Sequence, residues 1–259
     1  MGTLKGMKRF TTFDGLDLSY QDGGVPGAQP PVVLHHGFAS DGTGNWVRTG
    51  IAEALVASGR YVVIPDARGH GESAKPHDPV YYGEGKMSRD LRDLFDLMGA
   101  AEVDLVGYSM GGVVALLAAA EDPRIRRLVV GGIGASVAEL GGVDSRVVAR
   151  DSVIAALLAD DPSTIADPQA MAFRAFAEAT GADRKALAAQ AQAAHNKPIG
   201  LDRVRIPALV LAGTEDQLAQ RPEVLAAALP NAKWRVLAGD HLTVVRNPEF
   251  AEAIVAFLN

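Results

Sequence analysis

Short, continuous apolar runs recur along the chain: Pro31 to His35, Tyr61 to Pro65, Val103 to Gly107, Arg127 to Val130 and Ala208 to Ala212. Runs of this length suit strands covered on both faces, and so predict a parallel sheet. The segment from Phe10 to Tyr20 instead alternates in a strand-like way around the turn dipeptide Asp14-Gly15, which predicts a hairpin. Helical spacing fills the intervals. Trp46, Ile51, Leu55 and Val56 make one apolar face, and Met87, Leu91, Leu94, Leu97 and Met98 make another. Val113 to Ala120 is small and apolar throughout, the pattern of a helix buried in the middle of a structure. Arg221-Pro222-Glu223 and Asn247-Pro248-Glu249 each put proline at a first helical position, with Asn247 as a cap. Strands alternating with helices in this way predict a doubly wound α/β sandwich with right-handed crossovers.

The alternation breaks once. From about Gly134 to Gly200 the chain carries no strand pattern, only Ala-rich helical stretches punctuated by Asp161-Pro162 and Asp167-Pro168. Each Asp-Pro pair reads as an N-cap followed by a first-turn proline. We therefore expect a core formed by residues 1–133 and 201–259, with residues 134–200 as a small helical cap inserted before the last strands. Met171, Phe173 and Phe176 form an apolar stripe there, expected to pack as the cap's own core before it lines any pocket. Gly131-Gly132, Gly134 and Gly141-Gly142 are turn glycines or hinges.

Composition narrows the function. The 259 residues carry a net charge of −6, and lysine and arginine are dispersed, so neither nucleic acid nor an anionic membrane is an expected partner. The absence of cysteine excludes disulfides, thiolate metal sites and cysteine nucleophiles. Met1 to Phe10 lacks the apolar core of a signal peptide, and no apolar run reaches bilayer-spanning length. A cytoplasmic protein acting on a small molecule is expected, its oligomeric state left open.

The candidate chemistry begins at Gly107-Tyr108-Ser109-Met110-Gly111, a match to G-x-S-x-G. In a chain with 28 glycines the motif alone means little. Its setting carries the weight, because a strand pattern (Val103 to Val106) runs into it and a helix pattern (Val113 to Ala120) runs out of it. A serine on so sharp a turn is strained and exposes Oγ at the sheet's edge. Glycines two residues either side relieve the crowding, and the N-terminus of the following helix faces developing negative charge.

With the segments His35-His36-Gly37-Phe38, Asp66-Ala67-Arg68-Gly69-His70-Gly71-Glu72-Ser73, Gly213-Thr214-Glu215-Asp216 and Asp240-His241, the chain resembles the α/β-hydrolase superfamily over nearly its whole length, on its capped serine esterase and lipase-like branch. The resemblance implies the chain order serine, acid, histidine. Of the six histidines only His195 and His241 follow Ser109. His195 ends the cap and reads as a surface or hinge residue, whereas His241 occupies the loop where the family carries its base. Asp216 matches the position of the acid. Glu215 is the neighbouring alternative, and Asp240, adjacent to the base, reads as a loop residue. By the same resemblance the oxyanion hole consists of the backbone N–H groups of Phe38 and Met110, with His36 fixing the loop. Asp66, Arg68, His70 and Glu72 match a structural loop of the family, so no metal is expected, and no nucleotide-cradling loop implies a cofactor.

The expected activity is hydrolysis of a carboxylic ester of a small, largely apolar substrate through an acyl-enzyme on Ser109. The alternatives are a carbon–carbon bond hydrolase or perhydrolase with the same three residues, a small-molecule receptor of the same fold, or an acyltransferase. A serine at position 109 disfavours the aspartate-nucleophile dehalogenases and epoxide hydrolases.

Overall fold

The computed structural model describes residues 4–259, so the first three residues of the Met1–Phe10 segment lie outside the described residues. Within it, eight strands form one sheet: β1 (Lys8–Thr11), β2 (Asp17–Gly23), β3 (Val32–His35), β4 (Val62–Pro65), β5 (Val103–Tyr108), β6 (Ile125–Gly131), β7 (Ala208–Gly213) and β8 (Ala232–Leu237). Their order is β1-β2-β4-β3-β5-β6-β7-β8. The hairpin of β1 and β2 closes with the N–H of Gly15 donating to the carbonyl of Thr12 (2.9 Å) and is antiparallel, as is the β2–β4 pair. From β4 to β8 every pairing is parallel.

The apolar runs have their cause in this arrangement. Every residue of β3, β4, β5 and β7 is buried, because helices cover both faces. On one face lie α1 (Ile51–Ala57) and α9 (Pro248–Leu258), packed on Leu34, Ile64 and Leu211. On the other lie α2 (Glu84–Leu97), α3 (Met110–Ala119) and α8 (Pro222–Ala228), packed on Val33, Leu105 and Val210. Asn247 caps α9, its Oδ1 accepting the Glu249 N–H at 3.0 Å. Two expected faces need correction. Trp46 is buried beside Ile51 and Leu55 but belongs to a separate turn, Thr43–Val47, because Gly50 takes φ 80° and interrupts the helix before α1. Leu97 is exposed, since 100° per residue carries it roughly 80° away from Met87.

Between β6 and β7 the chain makes α4 (Ala135–Leu140), α5 (Arg150–Leu158), α6 (Pro168–Thr180) and α7 (Arg184–Gln192) and no strand. Asp167 caps α6, accepting the N–H groups of Gln169 (2.9 Å) and Ala170 (3.3 Å). Asp161 starts only the three-residue turn Pro162–Thr164. The helices gather Val153, Leu157, Ala177, Leu187 and Ala188 into a cluster that takes in Ala39 from the loop after β3 and Leu218 from the loop after β7. Strand β3 lies between β4 and β5, so chain direction across the sheet reverses there. The loops leaving β3 and β5 diverge at that point, which is where open α/β sheets hold ligands.

Candidate active site

Strand β5 delivers Ser109 onto a turn with φ 54° and ψ −117°, before α3 begins at Met110. Such a backbone costs about 1–3 kcal/mol and persists only where its surroundings hold it. Here the Ser109 N–H donates to the carbonyl of Gly131 (2.8 Å), and the Ser109 carbonyl accepts from Gly112 (2.8 Å) and Val113 (3.2 Å). Both motif glycines answer to backbone. A Cβ on Gly107 would stand 2.1 Å from the carbonyl oxygen of Gly111, and one on Gly111 2.2 Å from that of His35. The second contact lets the end of β3 press against the elbow.

Asp216 follows β7 and heads a short turn, its Oδ1 accepting from the N–H groups of Leu218 (2.9 Å) and Ala219 (3.2 Å). His241 sits on the loop after β8. Asp240 shapes that loop by accepting from the Leu242 and Thr243 N–H groups at 2.9 and 2.8 Å. The imidazole Nδ1 lies 2.8 and 3.0 Å from the two Asp216 oxygens, and Nε2 lies 3.0 Å from Ser109 Oγ. A carboxylate only accepts, so Nδ1 carries the proton and Nε2 presents its lone pair to the serine hydroxyl. The Asp216 side chain is fully buried and that of His241 is 21% exposed, which leaves the imidazole reachable from one side. Glu215 is exposed. His195 takes no part in this hydrogen-bonded group, its N–H donating to the buried Glu84 carboxylate (2.6 Å) between the inserted helices and α2.

Facing the elbow, Gly37 to Ser40 form a tight turn in which the Ser40 N–H donates to the Gly37 carbonyl (3.3 Å) and Ala39 takes φ 59°. Among the described residues neither the Phe38 N–H nor the Met110 N–H has a protein acceptor. The turn is anchored from the core side. Asn45 Oδ1 accepts the Gly37 N–H (2.9 Å), and His36 bridges the Gly37 carbonyl through Nδ1 (2.8 Å) and the Ala67 N–H through Nε2 (2.9 Å). His36 therefore ties the loop after β3 to the loop after β4.

The neighbouring loop residues point apart. Asp66 accepts from the N–H groups of Gly42 and Glu72 (both 2.9 Å), Arg68 pairs with Asp14 and Asp90, and Glu72 is exposed. His70 is buried edge-on to His36 (5.1 Å) and Phe38 (6.0 Å), with its Nδ1 3.0 Å from the Arg68 carbonyl. Burial pushes its pKa down to about 3, so it is neutral, and the same cause holds His35 at about 3. From the insert, the Phe173 ring packs 6.1 Å from Phe38, while Met171 and Phe176 are also half-buried. Phe173 and Phe176 thus lie against the insert's own cluster and toward the loop after β3.

One supporting residue escaped the sequence reading. Tyr108, the variable position before the serine, donates its hydroxyl to the carbonyl of His241 (2.6 Å) and lays its ring 5.2 Å from the imidazole. Gly131 and Gly132 make room for it, since a Cβ on Gly132 would stand 2.6 Å from the Tyr108 ring. These two glycines serve packing around Tyr108 beside the His241 imidazole, a role that their sequence context as turn or hinge residues did not suggest.

A family model described as alpha/beta hydrolase fold matches residues 30–141, the stretch that carries β3 to β6 and the elbow. Over the full length, the crystal structure of a hydrolase from Pseudomonas aeruginosa PA01 superposes with a TM-score of 0.80 at 27% identity, covering 98% of both chains. The chain belongs to the α/β-hydrolase superfamily. Two curated relatives match it over less than half of its length. The 2-hydroxy-6-oxo-2,4-heptadienoate hydrolase of Pseudomonas putida is 36% identical over 121 residues, 46% of this chain and 43% of that protein. The sn-1-specific diacylglycerol lipase ABHD11 of Mus musculus is 40% identical over 117 residues, 44% of this chain and 36% of that one. The matched region thus spans less than half the length of these curated relatives. Among the described residues of this α/β-hydrolase, no helix is long and apolar enough to cross a membrane.

Proposed function

We propose that this α/β-hydrolase is a serine esterase that cleaves a carboxylic ester of a small, largely apolar substrate. One observation carries the reading: Ser109, His241 and Asp216 form a continuous hydrogen-bonded chain beside the two undonated N–H groups of Phe38 and Met110. His241 Nε2 takes the Ser109 proton as Oγ adds to the acyl carbon. Asp216 stabilises the imidazolium and keeps its orientation. The oxyanion of the tetrahedral intermediate falls between the two N–H groups and the first turn of α3. His241 then protonates the leaving alcohol, and water hydrolyses the acyl-enzyme by the same steps in reverse. Phe38 and Phe173 supply apolar surface suited to an acyl group.

The test is hydrolysis of p-nitrophenyl esters of increasing acyl length by the wild type and Ser109→Ala. Loss of kcat by about 10³-fold or more supports the serine mechanism, and the preferred length sizes the acyl site. Equal activity of both proteins overturns it. The likeness to a dienoate hydrolase favours carbon–carbon cleavage as the second reading. The same addition to a carbonyl starts that reaction, so a wild type inactive on every ester brings vinylogous diketones forward as substrates.

A further inference from the structure

Ala39 is a place where this fold departs from local preference. It is a non-glycine residue at φ 59°, fully buried, and immediately follows Phe38, whose N–H is one of the two oxyanion donors in the reading above. Alanine in this conformation is strained, and its relaxation would shift the chain immediately after Phe38 and pull on the turn that holds the Phe38 N–H. The core side fixes the near half of the turn: Asn45 holds the Gly37 N–H, and His36 holds the Gly37 carbonyl, which shares a peptide plane with the Phe38 N–H.

The far side of the turn is held by the inserted helices. Thr180, the last residue of α6, donates its hydroxyl to the Ala39 carbonyl at 2.8 Å, across 141 positions of sequence. The same hydroxyl lies 3.1 Å from the carbonyls of Phe176 and Ala177, the local acceptors of a helical threonine, so the shortest of its three contacts is the one that leaves the helix. Thr180 is itself exposed, yet it reaches a carbonyl whose residue is fully buried. Two further contacts point the same way. Ala39 packs within the insert's cluster, beside Ala177 of α6, and the Phe173 ring of α6 flanks the Phe38 ring.

We infer that α6 completes the setting of the oxyanion hole from the far side of the turn, with Thr180 as its positioning residue. The helix that bounds the acyl site also completes the turn that receives the oxyanion. An insert displaced from the core therefore leaves Ser109 and His241 paired but the Phe38 donor misaligned. Chemistry is thereby tied to a seated insert. This inference rests on the esterase reading.

The experiment compares Thr180→Val, which keeps the shape and removes the donor, with Thr180→Ser, which restores it. Two p-nitrophenyl substrates serve: an ester with its ordinary carbonyl, and the matching thiono ester, whose sulfur uses the oxyanion hole poorly. Ser109→Ala is run alongside. The expected result for Thr180→Val is a kcat on the oxo ester lowered by about tenfold with KM within about twofold. The oxo-to-thiono rate ratio falls by a similar factor, and Thr180→Ser recovers most of both. A Thr180→Val enzyme with wild-type kcat and ratio overturns the inference. So does one with reduced kcat and an unchanged ratio, the signature of general loosening. Activity that survives in Ser109→Ala sinks the esterase reading instead, and so separates the two failures.

Discussion

Tyr108 does no chemistry itself, yet the position of the candidate base depends on it. Its hydroxyl holds the His241 carbonyl at 2.6 Å while its ring flanks the imidazole, and burial raises its pKa well above the ordinary phenol value, so it remains a donor. Tyr108→Phe keeps the ring and abandons one buried acceptor. The expected outcome is a stability loss of about 1–2 kcal/mol in urea denaturation and a fall in kcat of roughly tenfold. An unchanged kcat with the same stability loss makes the contact structural only. The contrast with Ser109, Asp216 and His241 explains which site residues can be read from sequence. The roles proposed for these three, nucleophile, acid and base, require particular side chains in a particular chain order, so motif and order single out the candidates. Tyr108 and Thr180 both donate to backbone carbonyls more than 130 residues distant, and a carbonyl has no residue identity for the sequence to display.

At the scale of elements, legibility follows burial. Strands β3, β4, β5 and β7 are covered on both faces and therefore read as apolar runs. Strand β8, at the sheet edge, is exposed at four consecutive positions from Lys233 to Val236, and its apolar content gives no comparable signal. The inserted helices are harder again, because alanine supports a helix without marking its buried side. Of two Asp-Pro pairs with identical local chemistry, only Asp167-Pro168 opens a full helix, and nothing local separates it from Asp161-Pro162. The cap at Asp167 nevertheless gives α6 a testable weak point. Asp167→Ala removes two acceptor contacts from the first turn and should cost about 1 kcal/mol. Hydrogen exchange at the amides of Gln169 and Ala170 should accelerate well before that of β5. Equal acceleration in β5 and α6 would mean that the insert and the sheet open only together.

For the molecule as a whole, the buried histidines beneath the site make stability depend on pH in a direction that can be worked out. His35 and His70 titrate near 6.5 when solvated, and burial pushes both down to about 3 in the folded protein. Between those values the unfolded chain binds protons that the folded one refuses. Their contribution to stability is thus complete above about pH 6.5 and is lost as pH falls toward 3. Two buried carboxylates oppose them. Burial raises Asp90 to about 6, against the pull of Arg68, and also raises Glu84, so the folded form retains protons that the unfolded form releases. Their contribution grows as pH falls through the same region, and the total stability mixes terms of opposite sign. A difference between two proteins isolates one of them. His70→Asn keeps an N–H placed to donate to the Arg68 carbonyl, now 3.0 Å from Nδ1, and removes the titrating group. In guanidinium denaturation from pH 7.5 to pH 4.5, the stability of the wild type relative to the variant should fall by about 1 kcal/mol per pH unit near pH 6, steepening to about 1.4 kcal/mol per unit below about pH 5.5. The carboxylate terms are common to both proteins and cancel. A gap that stays constant with pH means that His70 takes up its proton equally well folded and unfolded, and so that the ring beside Phe38 is open to solvent.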